Sequence, residues 1–170
     1  MIEHMTTAGS VLSAYHPGLV HDLLQTDAYT DLVIAADGER DPAVLRRRRD
    51  LRLQRRLEVF GRDDVRLDVV MGGVALTDAV GPPGVIVEQY RHLCDMSTSP
   101  NIRVRVVPPE ARVEAGRAAF TLLEFDEPGT PSVVYLEADR ADGHVTAYRQ
   151  AFAALMSQSM PVEEFCPPPL

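Results

Sequence analysis

Apolar and polar residues alternate in two stretches of the chain, and this two-residue period predicts half-buried β-strands. In residues 65–71 the apolar positions are Val65, Leu67 and Val69, and residues 101–107 alternate in the same way. Two further strands are predicted at residues 118–125 and 132–137, joined by a Pro- and Gly-containing turn at 127–131. The pattern therefore predicts four strands in the middle of the chain.

A period near 3.6 residues predicts helices on both sides of these strands. Asp41 is expected to cap the most distinctive helix, and Pro42 suits its first turn. The predicted helical stretches are residues 11–36 with a break near His16-Pro17-Gly18, residues 41–57, 74–80, 85–96 and 142–160.

This order of elements favours the α+β class, as a single domain with a small, mostly antiparallel sheet of about four strands covered by helices. A chain of 170 residues is long enough for one sizeable core. We expect residues 1–10 to be a flexible N-terminus, residues 11–160 to form the domain and residues 161–170 to be a Pro-rich tail.

Composition narrows the possible functions. The net charge of −8 opposes nonspecific attraction to nucleic acid, so no direct DNA binding is expected. Two cysteines outside any Cys-x-x-Cys pair predict neither a disulfide framework nor a metal site, and no cofactor motif is present. Without a signal peptide or an apolar run of membrane-spanning length, we expect a cytoplasmic protein with no membrane partner.

The chain has no lysine, and seven of its seventeen arginines fall within residues 46–56. Four apolar side chains of this helix are expected to share one arc: Leu45, Leu53, Leu57 and Phe60. Three arginines border that arc, at positions 49, 52 and 56, and the others are expected to point elsewhere.

Two interpretations of these arginines stay open. In one, the helix has a solvated face with intrahelical pairs to Asp50 and Glu58. In the other, Arg49, Arg52 and Arg56 line a cleft and bind a carboxylate, a phosphate or an acidic protein partner through their planar guanidinium groups. Gln25 is then a further candidate ligand-binding residue.

Four residues are candidates for acid/base catalysis, if the protein is an enzyme. His21 titrates near neutral pH, and Asp22 follows it directly; the alternative for His21 is a surface or helix-capping role. Tyr135 and Glu137 lie at the end of the last predicted strand, where Glu137 either lines a pocket or pairs with an arginine.

Seven short motifs in a fixed order resemble a known family. They are Leu23 to Thr26 with Tyr29, the arginine helix, residues 69–76, residues 89–93, Asn101 to Pro108, residues 120–125 and Tyr135 to Glu137. The chain is similar, over roughly residues 10–160, to the uncharacterised C-terminal domain of actinobacterial XRE-family regulators of the Scr toxin–antitoxin type. His21-Asp22 and Gly72-Gly73 stand where that family has Pro-Gly and Asp-Glu.

The resemblance implies a freestanding binding domain without the regulators' helix-turn-helix. Its ligand would be a small molecule or an acidic protein, held in a cleft beside the arginine helix, and a homodimer is possible. The alternative is a small cofactor-independent enzyme, of acid/base or cyclase type, recruited to an actinobacterial natural-product pathway. A third hypothesis is a dimerising interaction module without a pocket.

Overall fold

The structure is a computed structural model that describes residues 10–38, 40–77, 81–111, 118–136, 139–140 and 144–165. For residues 139–140 only the backbone is described. The described part forms one mixed β-sheet with helices packed on both of its faces.

Seven strands form the sheet in this part of the chain. Five are of ordinary length and two are two-residue edge strands: β1 (Ser10–His16), β2 (Val65–Gly72), β3 (Ile102–Val107), β4 (Phe120–Phe125), β5 (Val133–Leu136), β6 (Asp139–Arg140) and β7 (Met160–Pro161). Their spatial order is β6-β5-β4-β1-β2-β3-β7. The central strands β1, β2 and β3 run parallel. The other pairings in the described part are antiparallel: β4 with β1, β5 with β4, β6 with β5 and β7 with β3.

The α+β prediction is confirmed, but the prediction of about four, mostly antiparallel strands is wrong. Its main error is β1, where the sequence analysis expected helix. Between Ser10 and His16 nearly every position is buried, because helices cover both faces of the central strands. Such a strand lacks the alternation that marks a half-exposed one, so its period gives no signal.

Among the described residues, five α-helices accompany the sheet: α1 (Asp27–Ala36), α2 (Pro42–Phe60), α3 (Val74–Thr77), α4 (Pro83–Met96) and α5 (Val145–Gln158). The helix α2 is the predicted arginine helix, and it begins as expected. The Asp41 carboxylate accepts the Ala43 N–H at 2.8 Å, and Pro42 occupies the first turn.

The two faces of β1 show how the helices divide. Leu12 and Ala14 belong to the larger core, which also includes buried residues of α1 and α4. Tyr15 points the other way and packs in a smaller core with Phe152 and Leu155 of α5. One layer therefore contains α1, α2 and α4, and α5 forms the other.

The end of the chain also differs from expectation. The structure places residues 160–165 within the domain rather than in a tail, because Val162 and Phe165 are buried in the larger core. The Tyr90 hydroxyl donates to the Phe165 carbonyl at 2.7 Å, which fixes this segment against α4. Residues 166–170 lie outside the described part.

Gly72 ends β2 where the chain leaving β1 passes very close. A Cβ atom at this position would lie 2.1 Å from the Pro17 carbonyl oxygen, a distance that requires the backbone to move. The absence of a side chain at Gly72 thus allows the end of β2 and the chain segment after β1 to approach each other closely. None of the helices in the described residues is both long enough and apolar enough to cross a membrane.

Gly72→Ala should lower the free energy of unfolding by at least about 2 kcal/mol, because the Pro17 backbone has to shift. Gly84→Ala is the matched control, since a Cβ at Gly84 meets nothing within 4 Å. In that helical position alanine should stabilise by up to about 1 kcal/mol. Urea denaturation of both variants measures the difference, and equal stabilities would contradict the close approach.

Candidate functional site

The carboxyl end of β1 leads directly into the candidate site. After His16 the chain turns through Pro17 and enters a 3-10 turn at Asp22–Leu24. The His21 ring caps this turn, because its Nδ1 accepts the Leu23 N–H at 3.2 Å. Crevices at the carboxyl ends of parallel strands are common ligand sites, so the position itself is informative.

Two buried amides hold the segment that follows. Gln25 donates from Nε2 to the Val20 carbonyl at 2.8 Å. Gln89, fully buried on α4, donates to the Leu24 carbonyl and accepts the Thr26 N–H, both at 2.8 Å. Each amide satisfies backbone groups that would otherwise be buried unpaired. The turn between β1 and α1 is therefore fixed from both sides.

The arginine helix faces this turn with its arginine side. Only Val59 is buried on α2, whereas Leu53 and Leu57 are 53% and 67% exposed. Of the predicted apolar arc, Phe60 packs against the larger core, while Leu53 and Leu57 lie outside it. Arg52 and Arg55 lie on the same side as Val59 and are partly buried. The arginine side thus contacts the domain.

Polar contacts replace apolar packing along much of α2. The Arg52 Nη1 donates to the Gln25 Oε1 at 2.7 Å, and the Arg56 Nη1 donates to the Gln25 carbonyl at 3.2 Å. Arg49 forms an exposed ion pair with Asp31 of α1. Three of the four predicted ligand-binding residues therefore meet around Gln25, and Arg49 sits farther out.

A cavity of about 260 Å³ opens where the helix meets the end of β1, and we call it the histidine cleft. Its polar side combines side chains from the end of β1 and the turn after it with side chains from α2: His16, His21, Asp22, Gln25, Arg52 and Arg55. Its apolar side comes from the first turns after β1, from α1 and from the start of β4: Leu19, Val20, Val33, Ala119 and Phe120, with Thr121 beside them.

Both histidines of the cleft are neutral when the protein is folded. His21 lies 3.3 Å from an Asp22 oxygen, which suggests an ion pair, yet its Nδ1 already accepts the Leu23 N–H. A nitrogen that accepts a hydrogen bond carries no proton, so we assign the neutral tautomer protonated at Nε2. Burial lowers the pKa of His21 despite the Asp22 charge.

His16 packs edge-to-face on His21, with ring centroids 4.7 Å apart. Burial, together with the nearby His21, lowers the pKa of His16 from 6.5 to about 3, and Asp22 offsets this only in part. Neither ring therefore contributes a positive charge to the cleft at neutral pH.

Asp22 remains ionised for a different reason. Burial acts to raise the pKa of its carboxyl. The neighbouring His21 and the guanidinium groups of Arg55 and Arg52 lower this pKa by a larger amount, so the net shift is downward. Because the His21 ring is neutral, we assign this stabilisation to the two arginines. The contact from Arg55 is long, at 3.4 Å between Nη1 and the Asp22 Oδ2.

Arg55 also carries a donor without an acceptor. Its Nε is buried and has no hydrogen-bond partner. From the sequence, Arg55 was expected to point elsewhere, because it lies off the arc that Arg49, Arg52 and Arg56 border. The i, i+3 spacing of Arg52 and Arg55 was the available signal, since it places both on one face of a helix.

Beyond the cleft, Asp22 and Arg52 also line a second cavity of about 220 Å³, which we call the outer groove. Four aspartates and three arginines line it: Asp22, Asp27, Asp31, Asp50, Arg49, Arg52 and Arg56. Their formal charges sum to −1, so this outer groove does not attract a simple anion. The structure thus separates Arg52, which reaches the histidine cleft, from Arg49 and Arg56, which do not.

The remaining catalytic candidates are not brought to the cleft. Tyr135 lies on β5, with a buried hydroxyl that has no hydrogen-bond partner, and it is not among the residues that line the cleft. Glu137 lies outside the described residues. Within the described part of the chain, no group of three or more His, Cys, Asp or Glu side chains is arranged to hold a metal ion.

The fold and the cleft define a single α+β domain with a small polar and apolar cavity at the carboxyl end of its first strand. The chain belongs to the DUF5753 family, a domain of unknown function, whose model matches residues 3–164. No curated protein and no solved structure matches it.

The neutral histidines predict a loss of stability in mild acid. Between pH 6.5 and about 3 the unfolded chain binds a proton at His16 that the folded chain does not, so stability decreases as the pH falls through this range. The expected slope is up to about 1.4 kcal/mol per pH unit for each such histidine. Chemical denaturation at pH 7.5, 6.0 and 5.0 measures it.

In the same experiment His16→Gln should flatten the slope. His144→Gln, at the exposed start of α5, serves as the control and should leave the slope unchanged. A wild-type protein whose stability is constant from pH 7.5 to 5.0 would contradict neutral, buried histidines.

The orientation of α2 predicts unequal effects of truncating its apolar side chains. Leu57→Ala should change the free energy of unfolding by no more than about 0.5 kcal/mol, because the side chain is exposed. Val59→Ala should cost about 1–3 kcal/mol, because this smaller side chain is buried. Thermal or urea denaturation compares the two, and a larger loss for Leu57→Ala would favour the leucine-inward helix.

Proposed function

We propose that this domain binds a small molecule in the histidine cleft. The observation that carries the proposal is the convergence of two partly buried guanidinium groups, from Arg52 and Arg55, on a cavity that also has an apolar wall. Ligand sites commonly combine an apolar lining with a few oriented polar groups. The arginine helix supplies Arg52 and Arg55 to this cleft, whereas the sequence interpretation named Arg49, Arg52 and Arg56.

The way the cleft is held supports this proposal. Gln25 orients Arg52 while Thr30 donates to the same amide oxygen at 3.2 Å. Gln89 fixes the backbone on either side of Gln25. A site held in place before the ligand arrives loses less conformational entropy on binding. These buried amides would therefore preorganise the cleft.

A protein partner is the second candidate, and a different surface supports it. Leu53 and Leu57 are exposed on one side of the arginine helix. Exposed apolar patches often mark sites of protein contact. In this role the domain resembles the effector part of antitoxin-like regulators, where an acidic protein would cover the basic helix. The exposed Arg46 and Arg47, which do not line the acidic outer groove, favour an acidic partner.

The alternative of a cofactor-independent enzyme receives less support from the geometry. A lowered pKa makes the His21 ring a weaker base, and its Nδ1 is occupied by the Leu23 N–H. Asp22 does not orient the ring, because the His21 Nδ1 that faces it carries no proton to donate. Tyr135 lies elsewhere on the sheet, so no acid partner accompanies His21 among the cleft residues.

A thermal-shift screen tests small-molecule binding. The panel contains small carboxylates, phosphate esters, amides, alcohols and amino acids at millimolar concentration. A ligand at one hundred times its dissociation constant stabilises the folded state by about 2.7 kcal/mol, so even weak hits are visible. Any hit should be lost in Arg52→Ala, because this change removes a guanidinium group from the cleft.

Arg47→Ala provides the control, since Arg47 is an exposed residue of the same helix and lines neither cavity. Hits that Arg47→Ala removes and Arg52→Ala retains would place binding on the outer surface of the helix. A panel without a single stabilising compound would contradict a small-molecule site.

A further inference from the structure

The histidine cleft contains more positive than negative charge, and this excess indicates the class of ligand. Arg52 and Arg55 each carry one positive charge, and Asp22 carries one negative charge. The histidines add none, because His21 Nδ1 is an acceptor and burial keeps His16 neutral. The cleft therefore has a formal charge of +1, which a single negative charge on a ligand balances.

Arg55 is the group best placed to hold that charge. Its Nη1 reaches Asp22 at 3.4 Å, which is long for a charge-assisted hydrogen bond, and its buried Nε has no acceptor. An unpaired buried donor is unfavourable. An acceptor that reaches Nε replaces the hydrogen bond to water that this group loses when the chain folds. A planar carboxylate meets Nε and the adjacent Nη with two parallel hydrogen bonds.

Arg52 is less available, although it also lines the cleft. Its Nη1 donates to Gln25 at 2.7 Å, and Gln25 in turn binds the Val20 carbonyl. Turning Arg52 toward a ligand would break this contact. Arg55 gives up only the long contact to Asp22 when its guanidinium turns, so we assign the direct contact to Arg55 and the supporting charge to Arg52.

The opposite wall of the cleft requires an apolar ligand body. Leu19, Val20, Val33, Ala119 and Phe120 line it. The cavity volume of about 260 Å³ corresponds to roughly nine water molecules. A fully polar anion such as phosphate would leave this wall in contact with water, whereas a short hydrocarbon or aromatic group would cover it.

We infer that the cleft binds a small monocarboxylic acid with a compact apolar body, whose carboxylate pairs with the Nε edge of Arg55 while the body packs on Phe120 and its neighbours. This inference rests on the proposed function of the cleft. A phosphate dianion is disfavoured because its two negative charges exceed the formal charge of +1 in the cleft and because it approaches the ionised Asp22. An amine is disfavoured because it meets two guanidinium groups.

Isothermal titration calorimetry at pH 7.5 tests the inference with three probes of similar shape: benzoate, benzamide and phenyl phosphate. Benzoate should bind at least about tenfold more tightly than either of the others, because only it matches the donor pair and the charge. Arg55→Gln should reduce benzoate affinity by about tenfold or more and leave benzamide binding nearly unchanged.

Arg55→Lys guards against a folding defect, because it keeps the charge while removing the Nε–H edge. It should lose benzoate affinity by at least about threefold, since lysine cannot bind a carboxylate through a planar donor pair. The matched control, Arg47→Gln, should bind all three probes as the wild type does.

The outcomes separate the inference from the proposed function. Tighter binding of benzamide or phenyl phosphate than of benzoate would overturn the monocarboxylate while leaving a small-molecule site. Equal benzoate affinity in Arg55→Gln and the wild type would also overturn it. If none of the three probes binds, the inference fails, and the wider thermal-shift panel then decides whether the cleft binds another class of compound.

Discussion

The hydrogen bond between Arg52 and Gln25 is the contact on which the candidate site depends. The arginine helix buries only Val59, so apolar packing alone gives it little hold on the domain. At 2.7 Å, the Arg52 guanidinium instead anchors the helix to the amide of Gln25, and that amide also holds the Val20 carbonyl and the Thr30 hydroxyl. One side chain thus positions the helix, the chain leaving β1 and the start of α1.

This polar anchoring has a consequence for the cleft. A helix docked by leucines would have closed the space above the end of β1 with hydrocarbon. Because α2 is docked by arginines, it presents guanidinium groups to the neutral ring of His21 and to the carboxylate of Asp22. In the same orientation of the helix, Leu53 and Leu57 are exposed to solvent. The cleft and the exposed leucines are two results of one helix orientation.

The extent to which the sequence predicted the fold follows from how each element is exposed. The strands β2 and β3 and the helix α4 were predicted correctly, because charged residues alternate with apolar ones in both strands and the apolar residues of α4 follow a helical period. β1 was missed because helices cover both of its faces. Without β1 the parallel centre of the sheet could not be inferred, and the sheet was expected to be smaller and antiparallel.

Part of the arrangement around the cleft is visible in the sequence. His21, Asp22, Gln25 and Arg52 were candidate site residues, and the structure places them around one cavity. Arg55 was missed because it lies off the predicted arc, and the sequence does not show which side of the helix meets the domain. Phe120 comes from a strand about a hundred residues later in the chain, and local periodicity carries no information on such a tertiary contact.

The most direct test is a two-dimensional NMR spectrum of the arginine Nε–H groups, recorded at pH 7.0 during a titration with benzoate. We expect the Arg55 signal, assigned from the spectrum of Arg55→Lys, to move progressively and to exchange more slowly with water as its acceptor arrives. The Arg47 signal, on the exposed side of the helix, should stay in place. An Arg55 signal that does not move while the signals of the outer arginines do would contradict a ligand site in the histidine cleft.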